Sequence, residues 1–226
     1  MSDILYRTNS NLTLIGAGDV TSTQLDRSLA LAPELIAADG GANRARELGH
    51  SVLSVIGDLD SLTNAEYWQK SGKPVNKITD QSTTDFEKCL YCTDASVIIG
   101  VGFMGGRVDH QLAAFSALFR FRSKKVILLG DRDVCFLCPP ELHLQLPVAT
   151  RLSLFPLVPL TGRNSVGLEW PIDHLKLAPG DAIGTSNRTV SPDVKIAFNA
   201  PGMLVLIPPN FLEVALHAIE GADSWK

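Results

Sequence analysis

Along the first 138 positions, short β-branched and aliphatic runs alternate with segments whose apolar residues recur every three or four positions. Residues 12–16, 34–39, 51–58, 73–78, 96–102 and 125–131 read as strands, several of them apolar throughout, as strands buried on both faces tend to be. Residues 21–32, 43–49, 65–72, 85–93 and 110–121 read as helices. Such alternation predicts an α/β domain with a doubly wound parallel sheet over residues 1–138. The texture changes at Cys138-Pro139-Pro140. From Glu141 on, short alternating pieces are punctuated by turn residues: LHLQLP, RLSLFPLV, SVGLEWPI, DAIGTSNRTV, VKIAFNAPG and MLVLIPP. They predict a smaller all-β sandwich over 141–226. The closing FLEVALHAIEG reads as a short helix, and no internal repeat is visible.

Composition narrows the function classes. With 226 residues, 45% hydrophobic and 19% charged, the chain can bury a sizeable core. A net charge of −4 supplies no field for gathering nucleic acid. The one basic cluster, Arg120 to Lys125, follows a helical run, where cations complement a helix C-terminus. No apolar run reaches the length of a membrane span, and the N-terminus lacks a basic-then-apolar signal, so the expected location is cytoplasmic. Four cysteines form two C-x-x-C pairs, Cys89/Cys92 and Cys135/Cys138. The first pair falls on a helix and the second on a strand, where i and i+3 face opposite ways, so buried reduced thiols are expected rather than a zinc site.

Candidate chemistry lies in the acids. Asp39, Asp58, Asp60, Asp80, Asp85 and Asp109 all sit where predicted strands run out into loops. In an open α/β sheet ligands bind outside the carboxyl ends of the strands, so these loops can converge on one ligand. Gathered carboxylates repel unless a cation lies among them, and hard oxygen ligands completed by phosphate suit Mg²⁺. This pattern points to a magnesium-dependent enzyme acting on a phosphorylated substrate. Asp58 and Asp60 are the leading metal ligands and Asp85 the third, with Asp85 also expected to N-cap its helix.

A rival motif is Gly100-Val101-Gly102-Phe103-Met104-Gly105, which fits the G-x-G-x-x-G of a nicotinamide or flavin site. Against it, the apolar helix pattern does not begin at the third glycine, and the motif follows several earlier strands rather than the first. The glycines still let backbone N–H groups approach a phosphate, with Arg107 available to pair with it.

Taken in order, Asp39-Gly40-Gly41-Ala42-Asn43-Arg44, Gly57-Asp58-Leu59-Asp60-Ser61, Thr83-Thr84-Asp85-Phe86-Glu87-Lys88, Gly105-Gly106-Arg107-Val108-Asp109-His110 and Gly184-Thr185-Ser186-Asn187 resemble the motif series of the thiamine pyrophosphokinase family. Gly167-Leu168-Glu169-Trp170 resembles a further segment of that family. The resemblance implies an N-terminal α/β catalytic domain, a C-terminal β-sandwich that binds thiamine, and a homodimer with active sites between subunits. The reaction it implies transfers a pyrophosphoryl group from ATP to the hydroxyl of thiamine, giving thiamine diphosphate and AMP.

On this reading Asp58, Asp60, Asp80, Asp85 and Arg107 are catalytic, and Asp80 or Asp85 accepts a hydrogen bond from the thiamine hydroxyl. Asp39, Asn43, Arg44, Gly105, Gly106, Arg107, Asp109 and His110 are expected at the nucleotide. Gln81, Trp170, Ser186 and Asn187 are expected at thiamine. Two departures stand out: Ser82 replaces a carboxylate usual in the family, and Arg188-Thr189-Val190 lies where some members carry an aromatic. The first leaves the number of metal ions open, and it is the feature that most favours a third reading, a nucleotide-binding regulator without turnover.

Overall fold

A computed structural model of the protein describes residues 3–226. The chain divides into two compact units, one of residues up to 117 together with 128–131, the other of 118–127 together with 132–226. The first unit runs β1 (Tyr6–Arg7), β2 (Leu12–Ile15), α1 (Ser22–Leu31), β3 (Glu34–Ala38), α2 (Gly41–Glu47), β4 (Ser54–Gly57), α3 (Ala65–Ser71), β5 (Val75–Lys77), α4 (Asp85–Cys92), β6 (Thr93–Asp94), β7 (Ile98–Val101), most of α5 (Val108–Arg120) and the end of β8 (Val126–Leu129). Strands β7, β2, β3, β4 and β5 pair in that order, all parallel. All four residues of β2, β4 and β7 are buried, because helices cover both faces of a parallel sheet. Parallel pairing also sets the carboxyl ends of β2, β3, β4 and β7 along one edge, and the acidic loops leave from there.

Helix starts are fixed locally. Thr21 and Gln24 form a capping box on α1, and Thr84 and Glu87 form another on α4. Thr84 therefore takes the N-cap position expected of Asp85, which becomes the first helical residue. The hydroxyl of Thr84 can accept the N3 amide, and this leaves the Asp85 carboxylate to face elsewhere. Helix α2 begins at Gly41, two residues before its apolar pattern does.

The second unit holds β9 (Val134–Leu137), β10 (Glu141–Gln145), β11 (Arg151–Pro156), β12 (Leu160–Val166), β13 (Lys176–Leu177), β14 (Gly184–Arg188), β15 (Asp193–Phe198), β16 (Met203–Ile207), a 3-10 turn at Pro209–Phe211 and α6 (Leu212–Gly221). Its strands form two antiparallel arrays, β14-β11-β16-β9 and β10-β15-β12-β13. In β10 buried and exposed residues alternate strictly, the mark of a sheet packed on one face only. Strand β9 pairs with β16, so the segment before the Cys138-Pro139-Pro140 turn packs within this unit. The piece read as SVGLEWPI is not one strand. It is the tail of β12 followed by a bridge from Leu168 to Thr189, the chain turning at Gly167 with φ +77°.

The basic run after α5 does meet a helix C-terminus, that of α6. Lys125 Nζ donates to the Glu220 carbonyl at 2.7 Å. All four cysteines are buried and free, Cys89 and Cys92 on α4, Cys135 on β9 and Cys138 just after it. Burial pushes the Cys89, Cys135 and Cys138 thiols far above their ordinary range. Among the described residues no helix is long and apolar enough to cross a membrane.

Candidate active site

The site is built around Asp39, which follows β3 directly. Its backbone takes the left-handed φ of +43°, its N–H donates to the Ile56 carbonyl at 2.9 Å, and its side chain is buried. Close packing of β3 on β4 needs Gly57, where a Cβ would lie 2.7 Å from that of Asp39. One carboxylate oxygen of Asp39 accepts the Leu59 N–H at 2.9 Å, and the other is buried with no partner. An orphaned buried carboxylate oxygen costs free energy unless a ligand completes it.

Ligand oxygens of Asp39, Asp58 and Asp60 all lie within 4.8 Å of one another. Asp58 Oδ1 accepts the Asp60 N–H at 3.3 Å, which folds the loop back on itself, and Leu59 bridges the turn at φ +69°. This set of hard oxygen donors, one unsatisfied, fits a divalent cation such as Mg²⁺. Asp85 faces Lys88 instead, whose Nζ donates to Asp85 Oδ1 at 3.0 Å and to Asp58 Oδ2 at 2.9 Å.

Lys88, part of the Thr83 to Lys88 motif, takes a place that the motif alone does not assign, although the chain carries a signal for it. In DFEKCLYC positions 85, 88, 89 and 92 share one helix face, and a lysine among buried cysteines is out of place there unless it has a charged partner.

Electrostatics follow the geometry. Burial, the contact with Asp58 and the charges of Asp85 and Asp58 raise the Asp39 carboxyl to about 6, the Leu59 N–H opposing them. The Lys88 ammonium holds Asp58 far below the ordinary carboxylate range. For Lys88 itself burial pulls downward, and the hydrogen bonds and charges of Asp58 and Asp85 outweigh it to give a net rise.

A pH prediction follows from Asp39. An acid whose folded value of about 6 exceeds its unfolded value favours the fold at low pH, and that advantage is lost as pH rises from about 4 through 6. Asp39→Asn is expected to remove this loss and to make the cation-free protein more stable than the wild type at pH 8, by about 1–3 kcal/mol. Urea unfolding of both proteins between pH 4.5 and 8 checks it. A difference that does not change with pH would place the Asp39 charge outside the buried cluster.

Other sequence-level candidates are placed less directly. Asn43 spends its side chain on the loop that carries Asp60, donating to the Ser61 carbonyl at 2.9 Å and accepting from Thr63 N and Oγ1 at 3.2 and 2.9 Å. Arg44 donates to the Val20 carbonyl and pairs with Glu47, so it ties α2 to the loop before α1. Gln81 Nε2 reaches Asp58 Oδ2 at 3.5 Å. Asp80 accepts from Ser82 N and Oγ at 2.8 and 2.7 Å and from Thr83, so Ser82 orders the carboxylate beside it.

Arg107 and Asp109 form an exposed two-pronged pair of 3.1 and 2.7 Å next to the exposed His110. Gly105 and Gly106 hold φ of +88° and +65°, and Gln111 Oε1 accepts the Gly105 N–H at 2.9 Å. In the second unit Asn187 is buried and exchanges hydrogen bonds with the Trp170 backbone, while the Trp170 ring is exposed with Arg188 over it at 6.0 Å. Ser186 is exposed, with φ +60°.

Comparison with known proteins bears on the family and the fold. Residues 25–129 match the model of the thiamin pyrophosphokinase catalytic domain, and 141–203 match that of the thiamin pyrophosphokinase vitamin B1 binding domain. Thiamine pyrophosphokinase 1 of Oryza sativa subsp. japonica is 28% identical over 194 residues, covering 71% of this chain and 74% of its own. Among solved structures, the thiamin pyrophosphokinase from Candida albicans shares the fold with a TM-score of 0.78 at 18% identity, over 88% of this chain and 89% of that one. Nothing in these matches supports the nicotinamide reading, and α5 starts only at Val108, three residues past the last glycine of that motif. Since thiamine pyrophosphokinase 3 of the same rice is 30% identical over 187 residues, covering 67% of this chain and 69% of its own, the chain belongs to the thiamine pyrophosphokinase family.

Proposed function

We propose that this protein transfers the pyrophosphoryl group of ATP to the hydroxyl of thiamine, forming thiamine diphosphate and releasing AMP. The observation that carries this reading is the convergence of Asp39, Asp58 and Asp60 at the carboxyl ends of neighbouring parallel strands, with Lys88 linking Asp58 to Asp85, in a chain of this family. When bound by Asp58 and Asp60, with Asp39 beside them, Mg²⁺ supplies neutralisation of phosphate charge. Catalysis of phosphoryl-type transfer is mostly positioning and charge, so the protein's own groups have few covalent tasks.

In the reaction, the thiamine oxygen forms a bond to the β-phosphorus as the bond from that phosphorus to the α–β bridging oxygen breaks, and AMP leaves. Asp80 is taken up by Ser82 and Thr83, whereas Asp85 gives one oxygen to Lys88, so Asp85 is the better acceptor for the hydroxyl proton. Arg107 and Asp109 are paired in the open, where such a pair contributes little, so a phosphate can replace Asp109 at the guanidinium at small cost. Trp170 and Ser186 are assigned to thiamine as exposed groups, and Asn187 holds the Trp170 backbone in place. Purified protein with Mg-ATP and thiamine should release AMP and thiamine diphosphate in equal amounts. No thiamine diphosphate at any metal concentration would refute the assignment and favour a regulator.

We also propose the homodimer with shared sites that the family resemblance implies. Asp60→Ala and Asn187→Ala homodimers should then each be nearly inactive. An equal mixture, unfolded and refolded, pairs at random, so about half its dimers are mixed, each with one intact site, which restores about a quarter of wild-type activity. Inactivity of a mixture shown to contain mixed dimers would sink the shared site and spare the reaction.

A further inference from the structure

Of the charged side chains among the described residues, only Asp39 and Lys88 are buried, and both belong to one cluster. Taking an ammonium out of water costs several kcal/mol unless it is paired well, and an apolar residue in its place often serves the fold as well or better. Lys88 nevertheless stands on the α4 face that also buries Cys89 and Cys92. Its Nζ joins two separate elements, Asp58 after β4 and Asp85 at the start of α4. Asp58 is thereby held from both sides: Oδ2 by Lys88, Oδ1 by the Asp60 N–H.

We propose that Lys88 is a positioning residue that locks Asp58 and Asp85 into one fixed arrangement and, as a built-in positive charge, tempers the pull of the acids on the divalent cation beside them. This rests on the reading of the cluster as a cation site. The two roles act in opposite directions on two measurable quantities. Removing the charge makes the Asp39, Asp58 and Asp60 group more attractive to a cation, because a nearby positive charge is lost. Removing the lock lets Asp58 and Asp85 move, and misplaced charge-stabilising groups slow turnover.

The test uses the full chain and Mn²⁺ alone, followed by electron paramagnetic resonance, beside kcat with thiamine and Mg-ATP and a circular dichroism check of folding. Lys88→Met should bind Mn²⁺ roughly tenfold tighter while kcat falls about 10²-fold. Lys88→Arg keeps the charge on a differently shaped donor, so Mn²⁺ affinity should stay within about threefold while kcat falls at least about tenfold. If Lys88→Met does not fold, the arginine variant decides: wild-type kcat in it overturns the positioning role. Folded Lys88→Met protein with unchanged or weaker Mn²⁺ binding, or with wild-type kcat, also overturns the proposal. If the wild type makes no thiamine diphosphate while both Mn²⁺ results appear as expected, the reaction assignment falls and the place of Lys88 at the cation stands.

Discussion

Asp58→Asn and Asp60→Asn are each expected to lower kcat about 10²-fold or more, equivalent to about 2.7 kcal/mol of barrier, with the fold intact. Both changes remove one negative charge from the group whose oxygens lie within 4.8 Å of one another. Neither removes the turn from Asp58 to Ser61, since asparagine keeps one oxygen to accept the hydrogen bond that closes it, although at position 58 an amide nitrogen then replaces the oxygen that accepts from Lys88. The larger loss belongs to Asp58, which faces both the acid cluster and Lys88, while Asp60 is exposed. Steady-state kinetics at saturating Mg-ATP, with circular dichroism as the control for folding, measures this. Near wild-type turnover in both variants would remove the metal assignment.

Gly41→Ala is expected to cost about 3–5 kcal/mol, a large share of the stability of an ordinary domain, and to leave little folded protein. A Cβ at this position would stand 2.1 Å from the Ile15 carbonyl oxygen, 2.8 Å from its carbon and 3.0 Å from the carbonyl carbon of Gly16. These are backbone atoms of β2 and of the loop that follows, so nothing can swing away. Only a glycine lets α2 begin so close to β2, and Asp39 lies in the short connection between β3 and that start. Gly49 gives the contrast: a Cβ there meets nothing within 4 Å, but its φ is +81°. Gly49→Ala should cost only the left-handed backbone strain of about 1–2 kcal/mol. Urea midpoints and soluble yields of the two variants compare them, and equal midpoints would mean that α2 can shift away from β2.

Much of this was legible in the chain because parallel strands buried on both faces must be apolar throughout. LTLI and SVIG are buried at every position, and the helices between the strands carry the expected 3.6-residue pattern. Element ends were less legible, since caps are decided by individual hydrogen bonds. Thr84 rather than Asp85 caps α4, and the SVGLEWPI stretch breaks at Gly167, where the φ of +77° and a Cβ position 2.3 Å from the Asp193 carbonyl oxygen exclude other residues. That the acids gather followed from the rule that parallel strands end on one edge. Which of them gather did not follow.

The chain alone fixed the alternation of strands and helices in the first unit, the all-β character of the second, the family and the acidic loops from which the proposed site is drawn. It could do so because periodicity and motif order are properties read along the chain. Tertiary structure alone decided the partners within the site. It set Asp39 with Asp58 and Asp60, turned Asp85 toward Lys88, and used Asn43 to hold the loop of Asp60. Asp85 and Lys88 are three positions apart on one helix, but Asn43 meets Ser61 across 18 positions and Lys88 meets Asp58 across 30, and the strength of such pairings depends on distance and on exclusion of water. A carboxylate written in a sequence has the same charge everywhere. Burial beside Gly57, the approach of Asp58 and the charge of Asp85 lift Asp39 to about 6, while Lys88 holds Asp58 ionised.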